Sequence, residues 1–240
     1  MTSISDLTIK IFADGANLED MLELASNPLI KGFTTNPTLM RKAGVADYET
    51  FARAVLDVIT DHPVSFEVFA DDAAGMLAQA RVIASWGQNV NVKIPITNTK
   101  GESMVGVVGT LADEGIAVNI TAMMTVQQVR ETAAVLNRDV AAIVSVFAGR
   151  IADSGVDPVP LMSDACETLQ HLPKADLLWA SPREVLNVFH AQHSGCQIIT
   201  MTNDLLAKLS SVGKSLEQFS LETVQMFYRD AADARYTIRT

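Results

Sequence analysis

The chain has 240 residues, with 18 Lys+Arg against 28 Asp+Glu and so a formal charge of −10; that balance argues against nucleic-acid binding, which needs a basic surface to replace phosphate counterions. Hydrophobic residues make up 48% and charged residues 19%, enough to bury a core, yet no apolar run approaches the ~20 residues that cross a bilayer. Residues 1–7 lack the basic-then-apolar layout of a signal segment, and Cys166 and Cys196 provide neither a disulfide framework nor a CxxC pair, so the expectation is one cytoplasmic domain that binds no membrane.

In chain order, short β-branched runs alternate with longer amphipathic stretches. Strands are predicted over 7–14, 30–36, 63–70, 90–96, 117–123, 141–148, 175–181 and 196–201. Helices are predicted over 17–26, 47–60, 73–86, 102–114, 125–136, 158–172, 182–193, 203–212 and 216–234. Asn17 is placed to cap the first helix, where Leu18, Met21, Leu22 and Ala25 recur at helical spacing. Gly87 and Gly115 stand where helices should stop, and Pro158 and Pro182 where they should start.

Such alternation implies βαβ units around a parallel sheet. A doubly wound sheet would favour a glycine-rich first turn, but the first strand runs into Asp14-Gly15-Ala16-Asn17. Eight units in this length fit the compact end of the (β/α)8 TIM barrel, roughly 200 residues upward. The expectation is an α/β chain folded as one barrel domain over 1–240, with 215–235 as an additional C-terminal helix.

Strands buried on both faces should be almost wholly apolar. These are not. Val90, Val92, Ile94 and Ile96 alternate with Asn91 and Lys93. Val64, Phe66 and Val68 alternate with Ser65, Glu67 and Phe69; Val118 and Ile120 with Asn119 and Thr121; Val144 and Val146 with Ser145 and Phe147. Thr34 and Asn36 share one face of the second strand, Asp14 ends the first, and Trp179 and Ser181 share a face of the seventh. One face of every barrel strand points into the lumen. Asp14, Thr34, Asn36, Glu67, Lys93, Asn119, Thr121, Ser145 and Ser181 would then converge near the C-terminal ends of the strands, where barrel enzymes keep their sites. A structural core has no reason to gather that many polar groups.

Lys93, inside Val92-Lys93-Ile94-Pro95, cannot easily reach solvent. Desolvation disfavours an ammonium, and a neutral amine can attack a carbonyl to form a Schiff base that acts as an electron sink. Asp14 and Glu67 are the carboxylates on the same face and the candidates for acid/base work. Arg150 follows the sixth strand, and Arg183 follows the seventh at the predicted start of a helix, a position suited to phosphate. His62, His171, His190 and His193 have no zinc-ligand spacing, so no metal site is expected. Gly213-Lys214-Ser215 lacks the upstream glycine of a P-loop.

These residues resemble the transaldolases, in the short-chain subgroup that also contains fructose-6-phosphate aldolase. The resemblance runs from Ile9 to the last helix. It is carried by Thr34-Thr35-Asn36-Pro37, Val92-Lys93-Ile94-Pro95, Asn119-Ile120-Thr121 and Ser145-Val146-Phe147-Ala148-Gly149-Arg150-Ile151. It implies a class I aldol mechanism with no metal and no cofactor, sugar phosphates as substrates, and a pentameric or decameric homo-oligomer. It implies Lys93 as the Schiff-base lysine, Asp14 as the base for the C4 hydroxyl, and Glu67, with a water held by Thr121, as the acid/base for Schiff-base formation. Asn36 and Asn119 would hold the dihydroxyacetone unit, and Ser181, Arg183 and Arg150 the phosphate; Thr34, Ser145 and Phe147 complete the predicted site. The aldolase branch has glutamine in place of Glu67 and a tyrosine near Phe147, so this chain is closer to the transferases. Gly15, Pro182 and the loop 97–101 depart from the family pattern, and the last two, near the expected phosphate end, leave room for a modified sugar.

Overall fold

The computed structural model describes residues 3–239. Its strands and helices are, in order, β1 (Lys10–Asp14), α1 (Leu18–Ala25), β2 (Ile30–Thr34), α2 (Pro37–Lys42), α3 (Tyr48–Val58), β3 (Val64–Glu67), α4 (Ala73–Ala84), β4 (Val90–Pro95), α5 (Val105–Asp113), β5 (Val118–Met123), α6 (Val126–Ala133), β6 (Ala142–Val146), α7 (Ala148–Asp153), α8 (Pro158–Leu169), β7 (Ala175–Trp179), α9 (Leu186–His193), β8 (Ile198–Met201), α10 (Asn203–Lys208) and α11 (Leu216–Asp233). The eight strands pair in sequence order, all parallel, and β1 closes on β8. This is the (β/α)8 TIM barrel expected from the alternation.

The helices start where short polar side chains can satisfy orphan N–H groups. Asn17 accepts from Asp20 N, Asp47 from Thr50 N and Asp72 from Gly75 N. Thr125 and Gln128 form a reciprocal capping box, and Pro158 occupies the first turn of α8 behind Asp157. Gly115 carries α5 into its stop at φ +76.

Packing follows the period-two reading. Val92, Ile94, Val118, Ile120, Val144 and Val146 are wholly buried. Inside the barrel, Phe12, Ile143, Leu178, Ala180 and Ile198 form an apolar cluster. Gly32 admits the Phe12 ring: a Cβ there would come within 2.5 Å of it. Leu178 and Ala180 of this cluster reach the C-terminal mouth, while Phe12, Ile143 and Ile198 face the opposite end of the barrel.

Four local differences from the sequence expectation have physical causes. The six-residue helices α2 and α7 sit inside βα turns and are too short to show an amphipathic repeat. Strand β2 ends at Thr34, so Asn36 is the N-cap of α2 rather than a strand residue. Strand β7 ends at Trp179, and Leu178 and Ala180, not Trp179, face the lumen; Trp179 is wholly buried beside the His190 ring of α9. Finally, α9 begins at Leu186, because the Asn187 side chain accepts from both Arg183 N and Glu184 N and holds that stretch as a turn.

The chain divides into two compact units. The first spans residues 8–207 and holds the whole barrel; the second combines the described residues up to Leu7 with those from Lys208 onward. In the second unit, Ser215 caps α11 through Gln218 N, and Lys214 pairs with Glu222 at 2.6 Å. Phe219, Leu221, Val224, Phe227 and Tyr228 on α11 are exposed. No helix among the described residues is long and apolar enough to cross a membrane.

Candidate active site

At the C-terminal mouth of the barrel lies a cavity of about 590 Å³, and every one of the twelve sequence-predicted site residues lines it. Asp14, Thr34, Glu67, Lys93, Thr121 and Ser145 come from five neighbouring strands and β6; Asn36, Phe147, Arg150, Ser181 and Arg183 come from the turns above them. Three of the chain's cations, Lys93, Arg150 and Arg183, therefore share one opening in an acidic molecule.

Lys93 is 6% exposed. Its Nζ donates to the Thr35 carbonyl at 2.7 Å and lies 3.3 Å from Glu67 Oε2. Register explains both. Lys93 is opposite Glu67 on β3 and opposite Asn119 on β5. The Thr35 carbonyl is available because β2 has already ended. A buried cation is tolerated when such groups replace its water.

Asp14 is opposite Thr34, whose hydroxyl donates to Asp14 Oδ1 at 2.8 Å. Asn36 caps α2 with its carbonyl oxygen, accepting from Leu39 N, which leaves its Nδ2 turned to Asp14 Oδ2 at 3.4 Å. Burial raises the Asp14 carboxyl above the ordinary aspartate value; the Lys93 charge and the bonds from Thr34 and Asn36 oppose that without cancelling it. A carboxylate tuned upward is a better proton acceptor.

One layer down, Ser145 donates to Asn119 Oδ1 at 2.7 Å, and Asn119 Nδ2 donates to Ser65 Oγ at 3.0 Å. That fixes the Asn119 amide with one N–H left over for a ligand. Phe147 stands under Arg150, whose guanidinium carbon is 5.1 Å from the ring centroid. Arg183 is not at a helix N-terminus, as the sequence suggested, but in the turn before α9. There its fork pairs with Asp153, Nε to Oδ1 at 3.1 Å and Nη2 to Oδ2. Ser181 (φ +57) and Ala122 (φ +63) adopt left-handed backbone at the cavity wall, a conformation that costs a non-glycine residue energy and concentrates at functional sites. Gly149 is what lets the two turns meet: a Cβ there would overlap the Ser181 carbonyl oxygen at 1.5 Å.

Sequence reasoning missed several participants. Thr200 on β8 lines the cavity and touches Thr34; its alternation with the apolar Ile199 and Met201 is the signal that reveals it. The Tyr48 hydroxyl on α3 bonds to the backbone carbonyl and N–H of Glu67, and no side-chain pattern announces such a bond. Thr202 and Asp204 at the rim lie beyond the last strand, where period two stops.

Comparison with known proteins identifies the family. Residues 11–238 match the profile of the Transaldolase/Fructose-6-phosphate aldolase family. A protein of Dehalococcoides mccartyi named "Probable transaldolase" is 34% identical over 202 residues, 84% of this chain and 90% of that one. One of Methanococcus maripaludis with the same name is 36% identical over 84% of this chain and 89% of its own. "Probable transaldolase 2" of Listeria monocytogenes is 34% identical over 88% and 94%. Among solved structures, a dihydrodipicolinate synthase of Thermotoga maritima superposes with a TM-score of 0.60 at 12% identity, over 94% of this chain and 81% of that one; at that identity the likeness concerns the barrel alone. The matched profile, the length and level of identity to the named relatives, and the barrel with its lysine and two carboxylates together place this chain in the transaldolase/fructose-6-phosphate aldolase family.

Proposed function

We propose that this protein is a class I transaldolase. It would move a dihydroxyacetone unit from a ketose phosphate, such as fructose 6-phosphate or sedoheptulose 7-phosphate, to an aldose acceptor in the cytoplasm. The observation that carries the reading is the Lys93 amine: buried in the lumen, 3.3 Å from Glu67, and in one cavity with Asp14.

Glu67 takes a proton from the Lys93 ammonium, and the neutral amine attacks the ketose C2 carbonyl. Glu67, with a water held at Thr121, then protonates the C2 hydroxyl, which leaves as water and gives the iminium. Asp14 accepts the proton of the C4 hydroxyl; C4 becomes a carbonyl, the C3–C4 bond breaks, and its electron pair neutralises the iminium as an enamine. The aldose departs. An acceptor aldehyde takes its place, the enamine carbon attacks it and regenerates the iminium, and Asp14 returns the proton to the new hydroxyl; water then adds to the iminium with Glu67 as base, and collapse of the carbinolamine frees the ketose product and Lys93. Asn36 and Asn119 hold the three-carbon unit, with Ser145 steadying Asn119 and Thr34 steadying Asp14, and Arg150, Ser181 and Arg183 receive the phosphate beside Phe147.

Glu67 and Phe147, where the aldolase branch resembled above has glutamine and tyrosine, support transfer over release of free dihydroxyacetone. One observation favours a modified sugar as a second reading: Arg183 already spends its fork on Asp153, which reduces the positive charge offered to a phosphate. The test is an assay of fructose 6-phosphate with and without erythrose 4-phosphate. Sedoheptulose 7-phosphate formed only with acceptor, with negligible free dihydroxyacetone, is expected. Dihydroxyacetone released at a comparable rate without acceptor overturns transfer in favour of aldolase action.

A further inference from the structure

Thr200 on β8 is 6% exposed, and its hydroxyl lies 2.5 Å from the Thr34 hydroxyl, which is itself 2.8 Å from Asp14 Oδ1. The directions of these two bonds follow from proton counting. An ionised carboxylate only accepts, and a threonine hydroxyl has a single proton. Thr34 gives that proton to Asp14, so the Thr34–Thr200 contact is donated by Thr200. The result is a one-way chain from β8 through β2 to the carboxylate at the end of β1. On Asp14 the two oxygens are then unequal: Oδ1 receives the chain, whereas Oδ2 has only the long 3.4 Å contact with Asn36.

We propose that Thr200 is a positioning residue for Asp14: through Thr34 it locks the carboxylate so that Oδ2 faces the substrate hydroxyl and exchanges the proton. The inference rests on the Schiff-base reading above. A donated bond strengthens when its donor itself accepts one, so Thr200 sharpens the hold of Thr34 on Oδ1. When Oδ2 takes the C4 proton, the chain need not rearrange, and the carboxyl is presented unrotated to the incoming aldehyde. Fixing the reacting atom in this way lowers the barrier without touching the substrate. The other ionisable groups facing this cavity are Glu67 on β3, Lys93 on β4, Arg150 on α7, Arg183 before α9 and Asp204 on α10.

The test compares wild type with Thr200→Val, which keeps the shape and loses the hydroxyl, and Thr200→Ser, which keeps the donor. Two signals are read with fructose 6-phosphate: the borohydride-trapped adduct on Lys93, and the single-turnover release of glyceraldehyde 3-phosphate. The expected result for the valine variant is an undiminished adduct, cleavage slowed about tenfold, KM within about twofold, and an acid limb of kcat/KM displaced to higher pH because the carboxylate has lost support. The serine variant should recover to within about threefold of wild type on the same scale. Cleavage by Thr200→Val at the wild-type rate, with the adduct intact, overturns the role of Thr200 and leaves the Schiff-base reading standing. A wild type that forms no adduct overturns the reading itself. Should the valine variant not fold, Thr200→Cys carries the same comparison: its thiol is a weak donor, and a cleavage rate equal to that of the serine variant overturns the proposal.

Discussion

The Tyr48 hydroxyl holds both backbone polar groups of Glu67, donating to the carbonyl at 3.0 Å and accepting from the N–H at 2.7 Å. The need arises from the register. β2 pairs with β3 only at Phe33–Val64 and Thr34–Ser65 before the chain turns into α2, so the end of β3 has no strand partner on that side. A side chain from α3 supplies it, and burial keeps its phenol protonated by raising the pKa. The ring is fixed by Phe66, Phe69 and Trp86, each with centroids within about 6 Å.

Tyr48→Phe should therefore cost more than one surface hydrogen bond. It leaves a half-buried N–H and C=O without partners, about 1–3 kcal/mol of stability, or a melting temperature lower by roughly 2–12 °C. Turnover should fall as well, because Glu67 loses its anchor. Melting and kcat measured on the same preparation check this; an unchanged melting temperature would show that the two bonds are dispensable.

The raised Asp14 carboxyl has a sign consequence. Its folded-state value lies above the ~3.9 of an unfolded aspartate, so the native state binds that proton more tightly, and stability is lost as pH rises from ~3.9 through the folded value. Asp14→Asn should accordingly be more stable than wild type at pH 7 to 8, with the gain vanishing below about pH 4. Its turnover should drop by about 10²–10⁴ with the loss of the base. Melting curves across pH decide it; a variant less stable than wild type at pH 8 would show that the carboxylate contributes more as an ion-pair partner than its burial costs.

At the rim, Arg183 pairs with Asp153, and on the proposed function a substrate phosphate would compete for it. The pair is half-exposed, and such pairs contribute about 0–1 kcal/mol. Asp153→Asn should leave stability nearly unchanged and lower KM for phosphorylated donors by about two- to fivefold, the corresponding range of affinity, with no gain for an unphosphorylated ketose. An equal change for both donors would place Arg183 away from the phosphate.

The exposed apolar side chains of α11 suit the homo-oligomer that the family resemblance implies, and we propose that a second copy of the chain covers them. Light scattering should give a mass that is a multiple of 25.9 kDa, and Leu221→Asp with Phe227→Asp should lower it. A wild-type protomer mass at working concentration contradicts assembly.

Much of this site could be read from alternation alone. Asp14, Thr34, Glu67, Lys93, Asn119, Thr121 and Ser145 sit within strands, where period two maps sequence to face without ambiguity, and all seven line the cavity. The reading loosened where strands end. Period two gives Trp179 the face of Ser181, but the strand stops there and Ser181 turns left-handed. Pro182 signals a helix terminus at Arg183, which Asn187 converts into a turn. Tyr48 and the Thr35 carbonyl act through or as backbone, which residue identity does not encode. Thr200 is legible by the same alternation, between Ile199 and Met201.

The most direct test of the account is covalent. Wild type and Lys93→Ala are incubated with fructose 6-phosphate and borohydride, and the intact masses are compared. The account predicts one reduced ketose adduct per chain in the wild type, mapped to Lys93, and none in the alanine variant. An unmodified wild type, or an adduct that persists in Lys93→Ala, would contradict it.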